Sequence, residues 1–251
     1  MPLQTQRPYV RLQKSGPGIP VPAITVTYAG ASDLGEIVRR AVEVLRDGGV
    51  IVYPTDTSYG IGCDPRNPDA IDRLIAVKRR DPDLGLPLLF SDLNQCKEYH
   101  DFDELELVLA RLFWPGPLTM IVHARRELPP RVSGKHKSIA VRVPDHPVPR
   151  EIARAIRGPI VGTSANISGE PSPFDVDTAR EQLGEDVDLY IDGGRSKSTK
   201  NSTIVGVEPG QPANIKVYRE GELSIERLTE SLRVDADALR YWTARIVYAD
   251  M

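Results

Sequence analysis

The feature that most limits what this chain can fold into is a rhythm. Short β-branched runs and segments of helical apolar period alternate from Ala23 to Leu232. The run ITVTY reads as a strand. Leu34, Ile37, Val38, Ala41, Val42 and Leu45 then recur on one helical face, which predicts an amphipathic helix over 34–45. Asp47-Gly48-Gly49 stops it, and VIVYP follows as a strand. The same reading places further helices near 69–79, 93–99, 103–112, 148–156, 176–183 and 224–232. Strands are expected at LPLLF, LTMIVH, SIAVRV, PIVG, VDLYI, STIVGV and NIKVY. Strands separated by helices need crossovers, and directly successive strands can pair antiparallel. The expected fold is therefore α/β, with an open, twisted, mixed sheet. Residues 1–22 are proline-rich and aperiodic, which predicts an extended arm before one domain over 23–232. Residues 233–251 fall outside the rhythm and are expected to pack against the domain or a partner.

Composition excludes several classes. No apolar run in the 251 residues approaches the length of a bilayer span. The N-terminal stretch lacks the apolar segment of a secretion signal, so a cytoplasmic location is the simplest expectation. Two cysteines, Cys63 and Cys96, do not make a disulfide framework, and neither stands at metal-ligand spacing from another Cys or His. A formal net charge of −3 argues against a surface coated for nucleic acid. It leaves room for local basic clusters, at Lys78-Arg79-Arg80, at Arg125-Arg126 and from Arg131 through Lys135 to Lys137.

Four stretches stand where a strand or helix ends, the place at which open α/β sheets collect ligands. In PTDTSYG, three hydroxyls (Thr55, Thr57, Ser58) crowd between a strand and Gly60, either as a simple turn or as the wall of a pocket. Lys78 falls seven residues after Ile71 and so on the apolar face of its helix, whereas Arg79 points elsewhere. Lys78 either snorkels past the core edge or faces an anion together with Arg80. In PIVGTSANISGEPSP, hydroxyls and an amide follow a strand abruptly, a composition that suits phosphate or a nucleoside. Neither a Walker loop nor a nucleophile elbow is present there. In SIAVRVPDHP, Arg142 ends an apolar strand and needs an anion, either a protein carboxylate or a ligand.

PTDTSYGIGCDP, Lys-x-Arg at 78–80, WPGPLTM, SIAVRVPDHP, GTSANISGEPS and STIVGV…YREG occur in that order. Together they resemble the L-threonylcarbamoyladenylate synthase family, the YrdC-like proteins, from about Ala23 to Leu232. The resemblance implies an open α/β fold around a deep, positively charged cavity. It also implies a reaction in which L-threonine, bicarbonate and ATP give threonylcarbamoyl-AMP and pyrophosphate. A separate transferase complex would then pass the threonylcarbamoyl group to a tRNA adenosine beside the anticodon. Residue by residue, it implies threonine contacts at Thr57, Arg142 and Gly162. It puts Lys78 and Arg80 at the phosphates, and Ser138, Ser164, Asn166, Ser172, Ser202 and Arg219 at the nucleotide. Magnesium would come with ATP, held through phosphates and water, and no prosthetic group is implied.

Two departures qualify the resemblance. Asp81 stands where members usually carry Pro, and Leu84 or Leu86 takes a usually polar position. One phosphate contact is then missing or is replaced by Arg79. The larger members also have an additional C-terminal domain, which is not expected in this chain. The alternative readings are a YrdC-like module that binds double-stranded RNA or tRNA without synthesis, and a paralogue with another carbamoyl or nucleotide ligand. Intact Lys78/Arg80 and Ser164/Asn166 favour the enzyme.

Overall fold

A computed structural model describes residues 23–134, 138–208, 210, 213–235, 238 and 245–249. The arm expected over 1–22, and Lys135 and Lys137 of the third basic cluster, lie outside the described residues. In chain order the elements are β1 (Ile24–Thr27), α1 (Ala31–Arg46), β2 (Ile51–Tyr53), β3 (Gly60–Gly62), α2 (Pro68–Lys78), β4 (Leu88–Leu89), α3 (Leu93–Lys97) and α4 (Glu104–Phe113). There follow β5 (Leu118–His123), α5 (Pro130–Ser133), β6 (Ser138–Arg142), α6 (Pro147–Ala155), β7 (Ile160–Val161), β8 (Thr163–Ser164) and α7 (Val176–Leu183). The last are β9 (Leu189–Asp192), β10 (Thr203–Glu208), β11 (Asn214–Arg219), α8 (Ile225–Val234) and β12 (Arg245–Tyr248).

The strands form two mixed sheets. One is ordered β1-β9-β2-β3-β8, the other β12-β11-β10-β5-β6-β4-β7. The smaller sheet gains its antiparallel edge because the chain reverses at the hydroxyl turn: β3 pairs antiparallel with β2, and β8 antiparallel with β3. Both β3 and β8 lie in stretches read from the sequence as loop, since Gly-rich and hydroxyl-rich segments carry little strand signal. The tail adds a strand as well, with β12 pairing parallel along β11.

Helices start where their caps allow. Asn67 accepts the amides of Asp69 and Ala70 ahead of Pro68, which opens α2 at its first turn. Arg79 ends that helix in the left-handed region, at φ 51°. The apolar face foreseen for α1 buries Ile37, Ala41, Val42 and Leu45. They pack with Val148, Ile152 and Ile156 of the α6 region over Ile51, Tyr53, Leu189 and Ile191 of the smaller sheet. A larger core joins the opposite face of that sheet to one face of the larger sheet, and takes in α2, α4, α7 and α8. Met120, Val141, Val205, Ile215 and Val217 turn into this core. Thr119, Ile121, Ala140, Arg142, Ile204 and Gly206 therefore stand on the other face of the larger sheet. No described helix is long and apolar enough to cross a membrane.

Candidate active site

The open face of the larger sheet carries two neighbouring cavities. The first, about 220 Å³, brings Thr55, Thr57 and Ser58 of the hydroxyl turn together with Arg80, Arg142, Ser164, Ser202 and Arg219. The second, about 430 Å³, lies further along β5 and β6, with Ile121, Ala140 and Ser138 in its floor and Asp81, Asp83 and Leu84 at its side. A larger cavity of about 630 Å³ lies between α2 and the 129–134 segment. Its lining is mostly apolar, and none of the site residues expected from the sequence reaches it.

The hydroxyl turn is held by its own side chains. Thr55 Oγ1 donates to the Ser58 carbonyl at 2.7 Å and accepts the Thr57 amide at 3.0 Å. Tyr59 anchors the end of the turn, its hydroxyl donating to the Gly194 carbonyl. Thr57 is thereby presented to Arg142, whose Nη1 donates to Thr57 Oγ1 at 2.9 Å. The other guanidinium nitrogens are also engaged. Nε donates to the Gly116 carbonyl at 2.9 Å, and Nη2 pairs with Asp56 Oδ1 at 2.6 Å. Of the two anions the sequence left open for Arg142, a protein carboxylate is therefore present. Asp56 does not border the cavity, so it grips Arg142 from behind while the guanidinium still lines the site.

Lys78 is placed differently from a phosphate contact. It is 1% exposed, and its ammonium donates to the carbonyls of Ser164 and of Asn166, the latter at 2.6 Å. Its own carbonyl accepts the Ser168 amide at 2.8 Å. Helical register turned it inward as expected, but the space there is filled by the GTSANISGEPS loop. Burial, with Arg80 adding to it, pushes the Lys78 ammonium down to about 7. Arg79 is exposed and borders neither cavity. At the departure after Arg80, Leu84 is 53% exposed beside the second cavity and Leu86 is buried in the core.

The remaining expected residues divide into wall and support. Ser164, Gly162, Ser202 and Arg219 line the first cavity. Gly162 admits no side chain, because a methyl group there would meet Leu89 Cγ at 2.2 Å. Ser202 Oγ accepts Thr119 Oγ1 at 2.9 Å, and its carbonyl accepts Arg219 Nη2 at 2.9 Å. Desolvation and the charge of Arg142 hold the Arg219 guanidinium below its ordinary range, and burial does the same to Arg80. Asn166 supports its own loop, with Nδ2 donating to the carbonyls of Ile167 and Glu170. Ser172 receives Asn201 Nδ2 at 3.1 Å. Ser138 lies apart from these residues, in the second cavity.

Sequence reasoning missed Asp56, Thr119 and Asn201. Thr119 carried a faint signal, as the polar member of the alternation in LTMIVH. Asp56 and Asn201 carried none, because a single acid or amide in a turn is ordinary. Two buried polar atoms in the cavity wall, Arg80 Nε and Asn201 Oδ1, have no hydrogen-bond partner among the described residues. Left unpaired, such atoms are costly, and a polar ligand would satisfy them.

A mixed α/β scaffold that gathers three guanidiniums, several hydroxyls and unpaired polar atoms around one cavity has the chemistry of a site for small polar anions. The family described as telomere recombination, that of Sua5, YciO and YrdC, matches residues 43–221, and the chain belongs to this family. The threonylcarbamoyl-AMP synthase of Chromohalobacter salexigens is 40% identical over 175 residues, covering 69% of this chain and 94% of that protein. P. abyssi Sua5 complexed with L-threonine superposes with a TM-score of 0.76 at 27% identity, covering 89% of this chain. The match spans 62% of the Sua5 chain. E. coli YciO superposes with a TM-score of 0.69 at 28% identity, over 79% of this chain and 94% of that one.

Proposed function

We propose that this chain is an L-threonylcarbamoyladenylate synthase, joining L-threonine, bicarbonate and ATP into threonylcarbamoyl-AMP with release of pyrophosphate. The observation that carries the reading is the convergence of the hydroxyl turn and three arginines on one cavity. Arg142 and Thr57 hold the carboxylate of threonine, with Gly162 leaving the room beside Leu89. Arg80 and Arg219 face the phosphates, and Ser164 and Ser202 supply hydroxyl contacts. Lys78 holds the Ser164–Asn166 backbone in place from behind.

The chemistry suits these groups. The threonine amine adds to the carbon of bicarbonate, water leaves, and a carbamate oxygen attacks the α-phosphorus as pyrophosphate departs. No Asp, Glu, His or Cys lines the first cavity, so the protein works by proximity and by compensating phosphate charge. Among the described residues no group of three His, Cys, Asp or Glu could hold a metal ion. Magnesium would therefore arrive on ATP, bound through phosphates and water. The product would serve a threonylcarbamoyl transferase acting on tRNA adenosine.

The test is pyrophosphate release by purified protein, with threonine, bicarbonate and ATP omitted in turn. Release is expected only when all three are present. Equal release without threonine would reduce the reading to ATP hydrolysis and refute it.

A further inference from the structure

Beside the first cavity, within the YREG stretch, stands a feature that the proposed reaction does not use. β10 and β11 run in antiparallel register as Val205↔Val217 and Gly206↔Lys216, but the next pair is Ile204↔Arg219. Tyr218 is the extra residue, a β-bulge. A bulge re-aims side chains. In a regular strand Tyr218 and Arg219 would point to opposite faces, yet here both serve the open face. Arg219 enters the first cavity beside Ile204 and Ser202. Tyr218 lies across β10, where a methyl group on Gly206 would stand 3.2 Å from its Cε2 and 3.5 Å from the Ile121 carbonyl oxygen. Ile121 floors the second cavity. The ring lines neither cavity itself; it lies on the same sheet face, between Arg219 and the Ile121 position, and it can lie there because position 206 has no side chain.

Tyr218 is 44% exposed, so part of its aromatic surface is open beside a charged site. Lys216, paired with Glu208, stands over the ring with its ammonium 5.7 Å from the centroid, at the outer reach of a cation–π contact. An aromatic ring followed by a guanidinium, both turned onto the face that binds the ligand, matches a nucleotide, with base on ring and phosphate on cation.

We infer that Tyr218 is a stacking platform for the nucleobase of the nucleotide whose phosphates Arg219 faces. This rests on the nucleotide reading proposed above. Stacking on an aromatic ring should then separate from phosphate binding. Because Tyr218 is exposed, Tyr218→Leu and Tyr218→Phe should both melt like the wild type. Isothermal titration with ATP is expected to show Tyr218→Phe unchanged and Tyr218→Leu weakened roughly 5- to 150-fold. Tripolyphosphate, which has no base, should bind all three proteins equally. Gly206→Ala, which pushes the ring off the sheet, should weaken ATP in the same selective way. ATP binding to Tyr218→Leu with wild-type affinity would overturn the platform and leave the proposed function standing. Equal losses of ATP and tripolyphosphate would also overturn it, by assigning Tyr218 to the support of Arg219. A wild type that binds no ATP would overturn both readings together.

Discussion

In the proposed reading Arg142 serves folding and ligand at once. Its guanidinium is 7% exposed and its Asp56 partner 14%, so the pair is only slightly open to water. Replacing Arg142 with Leu strands that carboxylate, and the expected loss is about 3 kcal/mol, the lower end for a broken buried pair. Adding Asp56→Asn to Arg142→Leu should recover most of it, while threonine binding stays lost in both. Chemical denaturation of the four proteins in this cycle measures the coupling; single-mutant stability equal to wild type would mean that Asp56 is solvated well enough to need no partner. Lys78 and Arg80 separate the same two duties differently. Lys78→Ala leaves the Asn166 carbonyl without its ammonium donor, so melting temperature should fall by the equivalent of about 1–3 kcal/mol together with activity. Arg80→Ala, which faces the cavity, should lose activity with little change in melting. Were Lys78→Ala to melt like the wild type, the ammonium would have to contact ligand instead of holding the loop.

At the level of elements, α4 carries a buried acid–base pair at its start. Asp103 and Glu106 form a capping box, and the same Glu106 Oε2 meets His100 Nε2 at 2.6 Å. His100 Nδ1 is 2.8 Å from the His123 carbonyl, so both ring nitrogens face acceptors and the doubly protonated imidazolium fits best. Burial opposes that charge, but the Glu106 carboxylate, the carbonyl and Asp101 outweigh it, and the His100 pKa is raised. The sign follows: this stabilisation is complete below the unfolded value near 6.5 and fades as pH rises through the higher folded value. The stability advantage of wild type over His100→Gln should therefore shrink on going from pH 6 to pH 8.5, and a flat difference would show the pair to be neutral. None of this pairing was legible in the sequence, where His100 is one polar residue among several. Elements with strong periodicity were legible: α1 and α7 fall where their apolar spacing puts them, and β5 spans LTMIVH. The short strands β3 and β8 were not: β3 is built around glycines that carry little strand signal, and β8 forms only where the 163–164 segment meets β3 across about a hundred residues of sequence. For the site, motif order located the walls, while the distinction between wall and support depended on contacts that spacing does not encode. Lys78 and Asn166 fell on the supporting side.

Across the whole molecule the site joins two sheets that share one core. Thr57 comes from the turn leaving the smaller sheet, and Arg142, Ser202 and Arg219 come from the larger one. Val52 and Ile61 of the first sheet pack in the same core as Met120 and Val205 of the second. Such a core predicts one cooperative unfolding transition in place of two. A ligand that touches both sheets then stabilises the entire fold by mass action. At a free concentration one hundred times its dissociation constant it adds about 2.7 kcal/mol. For a chain of this size each kcal/mol is worth about 2–4 °C, giving a rise of roughly 5–10 °C in melting temperature. ATP at that level should raise the single transition as a whole. Threonine should do the same in the wild type and leave Arg142→Leu unmoved. Differential scanning calorimetry checks both points. A second transition that stays fixed while the first rises would mean that the sheets unfold independently, and the site would then be a seam between two units.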